Sequence, residues 1–225
     1  MSGLFITFEG TECSGKTTQI AMLADRLQRL GIPVVVVREP GGTPLGEEIR
    51  HTLKHSQANH AMTPETELLL LNASRAQLVR EVIRPALAAG RVVISDRFYD
   101  SSLAYQGFGR GIDLETVRWI INFAVGDTTP DITFLLMVPL EVSYQRRAAR
   151  QATLPIIRDR IEEADRSFFE RVAEGYKKLA EAEPHRIKLI DATADAASIA
   201  RTVWEILKPI LQSKGYLRTP GQATA

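Results

Sequence analysis

The chain has only one cysteine, Cys13, among its 225 residues. A single cysteine excludes an internal disulfide framework, and no metal-ligand spacing relates it to the four histidines. Such sparse cysteine usage is typical of proteins from a reducing compartment. We therefore expect a cytoplasmic protein that does not depend on disulfides or on a Cys/His metal site.

Long hydrophobic runs and an excess of one charge are also missing. Nowhere does the sequence hold the roughly 18 consecutive apolar residues of a membrane-spanning helix. The start, MSGLFITFEG, has neither a basic segment nor the long apolar segment of a signal peptide. The 28 Lys and Arg residues against 27 Asp and Glu residues give a net charge of +1, so no overall basic field attracts nucleic acid or an anionic membrane. We therefore expect the protein to bind neither nucleic acid nor a membrane.

Short apolar runs rich in β-branched residues recur and predict five buried strands. Segments with helical periodicity lie between them, and residues 63–87 predict a long helix with Thr63 as N-cap and Pro64 in the first turn. This alternation favours a parallel sheet that binds ligands at the carboxyl ends of its strands. The predicted strands are 4–9, 34–37, 91–96, 132–138 and 187–191.

The length fits a single α/β domain, which we place at residues 1–213. In segment 146–160, basic residues crowd around Pro155 between two helical segments, which predicts a mobile lid. After about Ser213 the sequence has turn formers and little periodicity. We therefore expect a disordered tail over 214–225.

The segment GTECSGKT, residues 10–17, has the spacing of a phosphate-binding loop between a predicted strand and a predicted helix. Backbone N–H groups would surround the phosphate oxygens, Lys16 would bridge the β- and γ-phosphates, and the Thr17 hydroxyl would ligate Mg²⁺. The loop therefore predicts that a nucleoside triphosphate such as ATP donates the phosphoryl group. The loop residues expected to bind it are Gly10, Thr11, Glu12, Cys13, Ser14, Gly15, Lys16, Thr17 and Thr18.

Arginines follow the later strands and indicate a second, anionic substrate: Arg38, Arg50, Arg75 and Arg97. A guanidinium matches a phosphate in a bidentate manner, and phosphoryl transfer onto an anionic acceptor requires positioning and charge neutralisation. Surface ion pairs are the alternative, most of all for Arg38 and Arg50. The chain has no N-K-x-D segment and no D-x-x-G after a strand, which argues against a GTPase switch.

The segments FITFEGTECSGKTTQ, REPGGTPLGEEIR, NASRAQLV, DRFYDSSLAYQG and DRIE stand in the order seen in thymidylate kinases. The chain resembles that family over about residues 4–212. The resemblance implies the P-loop nucleoside monophosphate kinase fold: a five-stranded parallel sheet with helices on both faces and a basic lid. It also implies phosphorylation of dTMP to dTDP with ATP and Mg²⁺ in dTTP synthesis, usually by a homodimer. The helix at 63–87 is the suspected dimer face.

The resemblance also assigns the acceptor site. Glu12 would accept a hydrogen bond from the 3′-hydroxyl of the acceptor, although an ion pair with a nearby arginine is the alternative. Arg50 and Arg97 would hold the acceptor phosphate, with Arg97 reaching towards the transferred group. The residues expected to bind dTMP are Glu12, Arg38, Pro40, Arg50, Leu71, Arg75, Arg97, Ser102, Tyr105 and Gln106.

For the base, Arg75 would donate to the thymine edge, and Ser102 and Gln106 would bond to it directly or through water. Tyr105 would exclude a ribose 2′-hydroxyl, with a plain core role as the alternative. Leu71 stands where the family usually has a stacking phenylalanine. Without ring stacking, worth about 1–3 kcal/mol per base, we expect weaker base binding or broader selectivity.

For the metal and the donor base, Asp96 looks like the acidic residue near Mg²⁺, together with Thr17. The resemblance implies a catalytic basic residue either in the P-loop, as in some thymidylate kinases, or on the lid, as in others. Because this P-loop has none beyond Lys16, we expect the closing arginine on the lid, at Arg150 or Arg158. Arg146 or Arg147 would flank the adenine above the DATAD loop, which contains Ala192. The alternatives are a solvated basic helix face and a plain turn. The expected catalytic residues are Lys16, Arg97, Arg150 and Arg158.

Two other functions are possible from the sequence. A different nucleotide or deoxynucleoside kinase would share the P-loop and the arginines but use another acceptor. A non-enzymatic nucleotide-binding switch would bind the donor without turnover.

Overall fold

The computed structural model describes residues 3–153, 161 and 164–218, without the side chains of residues 57, 58, 150, 151 and 153. Its five strands are β1 (Leu4–Glu9), β2 (Val34–Arg38), β3 (Val92–Asp96), β4 (Ile132–Met137) and β5 (Ile187–Asp191). All pairings are parallel, in the order β2-β3-β1-β4-β5. The five predicted strands are confirmed to within one residue at each end.

Nine α-helical segments occur in the described part of the chain: α1 (Lys16–Arg29), α2 (Pro44–Lys54), α3 (Pro64–Leu78), α4 (Arg84–Ala88), α5 (Tyr99–Ser102), α6 (Leu114–Val125), α7 (Leu140–Thr153), α8 (Arg166–Ala182) and α9 (Ala196–Ser213). A 3₁₀ turn spans Gln57–Ala61, and π-helical turns span Val79–Ile83 and Leu103–Gly109. No helix among the described residues is long and apolar enough to cross a membrane.

The long helix predicted at 63–87 is confirmed, but it is interrupted. Thr63 caps α3 because its hydroxyl accepts from the Thr66 N–H, as predicted. The π-helical turn over Val79–Ile83 then joins α3 to α4. The cause is Pro85, which has no N–H and whose ring would clash with the carbonyl four residues earlier in a regular helix. The wider π-helical turn lets the helix continue through Pro85 without this clash.

Each face of the sheet has its own apolar core, because successive side chains of a strand point to opposite faces. In β1, Leu4, Ile6 and Phe8 pack with α1 and α9 on one face, whereas Phe5 packs with α3, α6 and α8 on the other. The inner strands β1, β3 and β4 are buried between the two helical layers, which explains their continuous apolar runs. The prediction of helices on both faces is therefore confirmed. The edge strands β2 and β5 are partly exposed, so the prediction that all five strands are buried is wrong for these two.

The disordered tail predicted over 214–225 is wrong for Lys214, Tyr216 and Leu217, which contact the rest of the protein. Lys214 pairs with Asp131 at 2.7 Å, and the Tyr216 hydroxyl donates to the Gly90 carbonyl at 2.9 Å. Tyr216 and Leu217 also pack against the core beside α9. Periodicity could not reveal these contacts, since their partners lie far away in sequence. Residues 219–225 lie outside the described part of the chain.

The backbone of 146–153, the first half of the predicted lid, continues α7. The second half, 154–160, lies outside the described residues, and Arg158 lies there with it. The side chain of Arg150 is likewise not described.

Candidate active site

A cavity of about 600 Å³ opens at the carboxyl edge of the sheet, where the P-loop meets the ends of β2 and β3. Most predicted site residues line it, as expected for ligand sites of parallel α/β sheets. Those residues are Glu12, Cys13, Ser14, Gly15, Lys16, Thr17, Thr18, Arg38, Pro40, Arg50, Leu71, Arg75, Asp96, Arg97, Ser102, Tyr105, Gln106 and Arg146.

Two glycines shape the P-loop for reasons of space and conformation. Gly10 has φ of 135°, and a Cβ atom there would overlap the carbonyl oxygen of Leu136 on β4. Gly15 has φ of 93° and immediately precedes α1. Only glycine adopts such angles without strain. The loop can therefore wind tightly between β1 and α1 and direct the N-terminus of α1 towards the cavity, where the helix dipole favours an anion.

Lys16 lies almost completely buried at the start of α1. Its Nζ donates to the carbonyl oxygens of Thr11 at 2.9 Å and Gly10 at 3.2 Å. Burial, and then the nearby charge of Arg97, lowers the pKa of Lys16 to about 8. A cation whose charge is this poorly solvated gains from an anionic phosphate nearby. The predicted role against the phosphates fits this environment.

Thr17 and Asp96, the two residues predicted to bind Mg²⁺, contact each other. The Thr17 hydroxyl, on the first turn of α1, donates to Asp96 Oδ2 at the end of β3 over 3.0 Å. No group of three or more His, Cys, Asp or Glu side chains in the described residues could hold a metal by itself. Mg²⁺ usually keeps several waters and binds through one or two carboxylates plus substrate phosphates. The hard oxygen atoms of this pair therefore fit such an ion.

Arg97 lies between the P-loop and the cavity, directly after β3. Its φ of 69° is left-handed, a conformation that costs a non-glycine residue energy and persists only where the surroundings enforce it. The Arg97 N–H donates to the Phe8 carbonyl, and Nη1 donates to the Gly10 carbonyl, both over 3.0 Å. These contacts fix the guanidinium beside the phosphate-binding loop.

Glu12 forms an ion pair with Arg97. Its Oε1 lies 2.6 Å from Arg97 Nη2, and the Tyr105 hydroxyl lies 3.4 Å from the same oxygen. The alternative named for Glu12, an ion pair with a nearby arginine, is thus what the structure contains. The same carboxylate lines the cavity, so the pair leaves room for a role in binding the acceptor.

Arg75 is held on several sides and is 2 % exposed. Its Nε and Nη2 lie 2.8 and 2.7 Å from Glu39 Oε2, and its Nη1 donates to Asn72 and Ser102. Glu39 Oε1 is buried and has no hydrogen-bond partner among the described residues. To donate to a base, Arg75 would have to exchange one of these acceptors. Sequence reasoning missed Glu39, although it stands inside the quoted REPGGT segment.

The family model described as thymidylate kinase matches residues 8–203 of the chain. The chain belongs to the thymidylate kinase family. The thymidylate kinase of Thermomicrobium roseum is 46 % identical over 208 residues, which cover 92 % of this chain and 96 % of the relative. That of Pseudomonas entomophila is 45 % identical over 212 residues, covering 94 % and 98 %. A solved structure of thymidylate kinase from Ehrlichia chaffeensis superposes with a TM-score of 0.73 at 34 % identity, covering 92 % of this chain and 99 % of that one.

The predicted base-binding residues line the cavity. Gln106 donates through Nε2 to Glu67 at 2.8 Å, while its Oε1 is buried with no partner among the described residues. Leu71 is half-buried there. Tyr105 has the core role named as its alternative, since its ring packs edge-on against Phe168, and its hydroxyl accepts from Arg97 Nη2 at 3.3 Å.

The two predicted surface-pair arginines differ in their contacts. Arg38 forms a two-bonded ion pair with Glu47, at 3.0 and 2.9 Å, and both side chains are largely exposed. Arg50 donates to the Pro40 carbonyl at 2.8 Å. Both arginines nevertheless line the cavity, so the ion pair of Arg38 does not remove it from the site.

On the donor side, Arg146 Nη2 donates to the Ala192 carbonyl at 3.1 Å, which brings these two predicted residues together. Arg147 is different: its guanidinium stacks over Tyr144 at 5.1 Å and Phe169 at 5.8 Å and does not line the cavity. Of the two arginines named as possible adenine neighbours, Arg146 therefore lines the cavity, whereas Arg147 contacts aromatic rings.

Glu9, the last residue of β1, is a functional candidate that sequence reasoning missed. It is completely buried, and its carboxylate accepts from the Phe98 N–H, the Ser101 hydroxyl and the Tyr176 hydroxyl at 2.7, 2.6 and 2.8 Å. Burial, and then the charge of Asp100, raises the pKa of Glu9 to about 7 against the lowering effect of Arg97. The signal was a carboxylate at the end of the apolar run LFITFE, next to the P-loop.

Proposed function

We propose that this protein transfers the γ-phosphoryl group of ATP to dTMP, giving ADP and dTDP for dTTP synthesis. Family membership over residues 8–203 supports the reaction. The observation that carries it in the structure is the place of Arg97, bonded to Gly10 of the P-loop on one side and to Glu12 on the other. A guanidinium at this junction can contact a phosphoryl group that passes from donor to acceptor.

Positioning and electrostatic stabilisation supply most of the catalysis in such a transfer, because the protein has little covalent chemistry to do. The P-loop amides and Lys16 would bind the donor phosphates. Arg97 would neutralise charge on the transferred group, and Arg38 and Arg50 would hold the acceptor phosphate. Thr17 and Asp96 would hold Mg²⁺, which when bound neutralises phosphate charge and orients the phosphates.

The other side of the cavity would read the nucleoside. Glu12 would accept from the 3′-hydroxyl while it keeps Arg97 in place, and Tyr105 would fill the space that a ribose 2′-hydroxyl needs. The buried Gln106 Oε1 would accept from an N–H group of the base, which removes the cost of an unpaired buried acceptor. Ser102 and Arg75 would complete this edge.

The Glu12 role predicts an unequal effect on the two substrates. In Glu12→Gln, kcat/KM for dTMP should fall about 10- to 100-fold, because a charged acceptor and the partner of Arg97 are both lost. The KM for ATP should stay nearly unchanged. Steady-state kinetics with each substrate varied in turn would measure this. Glu141→Gln, which removes an exposed ion pair with Arg166, is the matched control. Equal losses for both substrates would contradict the role.

We also propose a homodimer formed through α3 and α6. These helices lie side by side, since Arg80, in the turn after α3, donates to the Ala124 carbonyl of α6 at 2.7 Å. Large apolar side chains on them face solvent: Leu69 is 55 %, Trp119 71 % and Phe123 77 % exposed. A second copy of the chain would cover this surface and remove its apolar area from water.

For this dimer we expect Trp119→Glu to give monomers in sedimentation velocity, while the unchanged chain sediments as a dimer. A charge in the centre of an apolar interface loses its hydration and has no partner. Leu189→Glu is the matched control, because Leu189 is also exposed, at 58 %, but lies on the edge strand β5. A monomeric unchanged chain at all concentrations would refute the dimer.

The remaining assignments are proposals of the same kind. A lid that carries Arg150 and Arg158 would close over the donor, exclude water and limit wasteful hydrolysis of ATP. Residues 1–213 would act as one domain. The low cysteine content supports a cytoplasmic location.

Coupled measurement of ADP release with a panel of nucleoside monophosphates tests the function. We expect turnover with dTMP, weaker turnover with dUMP, and loss of both when EDTA removes Mg²⁺. A methyl group is worth only about 1–3 kcal/mol of discrimination, and Leu71 gives the base no ring to stack on, so some use of dUMP agrees with the proposal. Preference for another monophosphate would show a different kinase, and ADP release that no monophosphate stimulates would refute the transfer.

A further inference from the structure

The buried carboxylate of Glu9 has no part in the transfer as described, and Glu9 is not among the residues that line the cavity. Yet every group that donates to it belongs to the surroundings of Arg97. Its Oε1 accepts from the N–H of Phe98, the residue after Arg97. Its Oε2 accepts from the hydroxyls of Ser101 and Tyr176. Three elements, β1, α5 and α8, therefore converge on one carboxylate.

The same two hydroxyls also contact the guanidinium. Arg97 Nη1 lies 3.1 Å from Ser101 Oγ and 3.2 Å from the Tyr176 hydroxyl oxygen, and these two oxygens are 2.9 Å apart. A hydroxyl has one proton and two acceptor sites. When its proton points to Glu9, only its lone pairs remain to face Arg97. The carboxylate thus decides whether the hydroxyls attract or repel the guanidinium.

We propose that Glu9 is a positioning residue for Arg97: it turns the hydroxyls of Ser101 and Tyr176 into acceptors for the guanidinium and holds the Phe98 peptide. The bond to the Phe98 peptide matters because Arg97, the preceding residue, has a left-handed φ of 69° that its surroundings must enforce. Besides these two hydroxyls, Arg97 Nη1 also contacts the carbonyl oxygen of Gly10. The inference rests on the proposed function, in which Arg97 contacts the transferred phosphoryl group.

The test is Glu9→Gln, which keeps the shape of the side chain. An amide has one oxygen and one NH₂ group, so it cannot accept on both sides as the carboxylate does. We expect kcat to fall about 10- to 100-fold and the KM for ATP to stay unchanged. In an Arg97→Ala background the same substitution should have no further effect on kcat, since no guanidinium remains to be positioned.

This double-mutant comparison separates positioning from a merely structural role. An equal fall in kcat in both backgrounds would overturn the proposal, and so would an unchanged kcat in Glu9→Gln alone. If Glu9→Gln does not fold, Tyr176→Phe removes one of the two hydroxyls and leaves the carboxylate in place. Its expected fall in kcat is about 3- to 10-fold, and this fall should again disappear in the Arg97→Ala background.

Asp131→Asn is the matched control. Asp131 also accepts from a backbone N–H of β1, that of Phe5 at 2.7 Å, but at the opposite end of the strand from the cavity. We expect it to lower Tm and leave kcat unchanged. All variants are assayed with whichever nucleoside monophosphate the unchanged chain phosphorylates. Use of an acceptor other than dTMP would overturn the proposed function and still allow the comparison.

Discussion

Arg97→Ala should lower kcat about 1,000-fold, the largest effect expected for a single substitution in this protein. The guanidinium lies at the junction of the P-loop and the acceptor side of the cavity, where negative charge accumulates during the transfer. In the alanine variant only water would stabilise that charge, and mobile water molecules do so less well than a fixed cation. The KM for ATP should change little, because Lys16 and the loop amides bind the donor.

The substitution also removes the ion-pair partner of Glu12 and the charge that lowers the pKa of Glu9. We therefore expect a lower Tm as well as a lower kcat, and thermal unfolding must accompany the kinetics. Arg84→Ala is the matched control. It removes a partly buried arginine that bonds to Thr128 and Asp127 outside the cavity, so Tm should fall while kcat is retained. A loss in kcat of less than about tenfold for Arg97→Ala would contradict its role.

Lys16→Met should lower kcat about 100- to 1,000-fold, the loss typical of removing one preorganised group that stabilises transition-state charge. Methionine keeps an unbranched chain in the same space, so packing should change little. Stability should move in the opposite direction from activity. The pKa of Lys16 is lowered to about 8 mainly by burial, which means that its charged form costs free energy in the folded protein below that pH.

We therefore expect Tm at pH 7, without nucleotide, to be equal to or higher than that of the unchanged chain. Lys178→Met is the matched control: its Nζ lies over the ring of Phe108 at the surface, away from the P-loop, and neither kcat nor Tm should change much. A variant that keeps more than about half of the original kcat would show that the ammonium is not needed for transfer.

Most of the fold could be predicted because its signals are local. Strands of a parallel sheet are short apolar runs, and each of the five appeared as such, although β2 and β5 lie at the edges and are partly exposed. The N-cap at Thr63 is also a local pattern. The first residues after α9 were misjudged for the opposite reason. Tyr216 is anchored by the Gly90 carbonyl, which is 126 residues away in the chain.

The candidate site also divides into residues that sequence motifs indicated and contacts between residues far apart in the chain, which they did not indicate. Lys16 and Thr17, predicted from the P-loop spacing, line the cavity, and so do Arg50 and Gln106, which the arginine pattern and the family resemblance named. Neither indicated what surrounds Arg97. Its partner Tyr176 lies on α8, 79 residues later in the chain, and comes close only because α8 packs on the same face of the sheet.

By itself the sequence determined the parallel α/β architecture, the phosphate-binding loop and the set of arginines that line the cavity. Periodicity, glycine spacing and motif order are relations between residues along the chain, so they can be recognised without the tertiary structure. Only the tertiary structure decided that Arg97 pairs with Glu12, that Arg75 pairs with Glu39, and that Glu9 accepts hydrogen bonds from the groups around Arg97. Such contacts depend on which side chains a folded sheet buries together, and in a low-dielectric interior those neighbours set both charge and geometry.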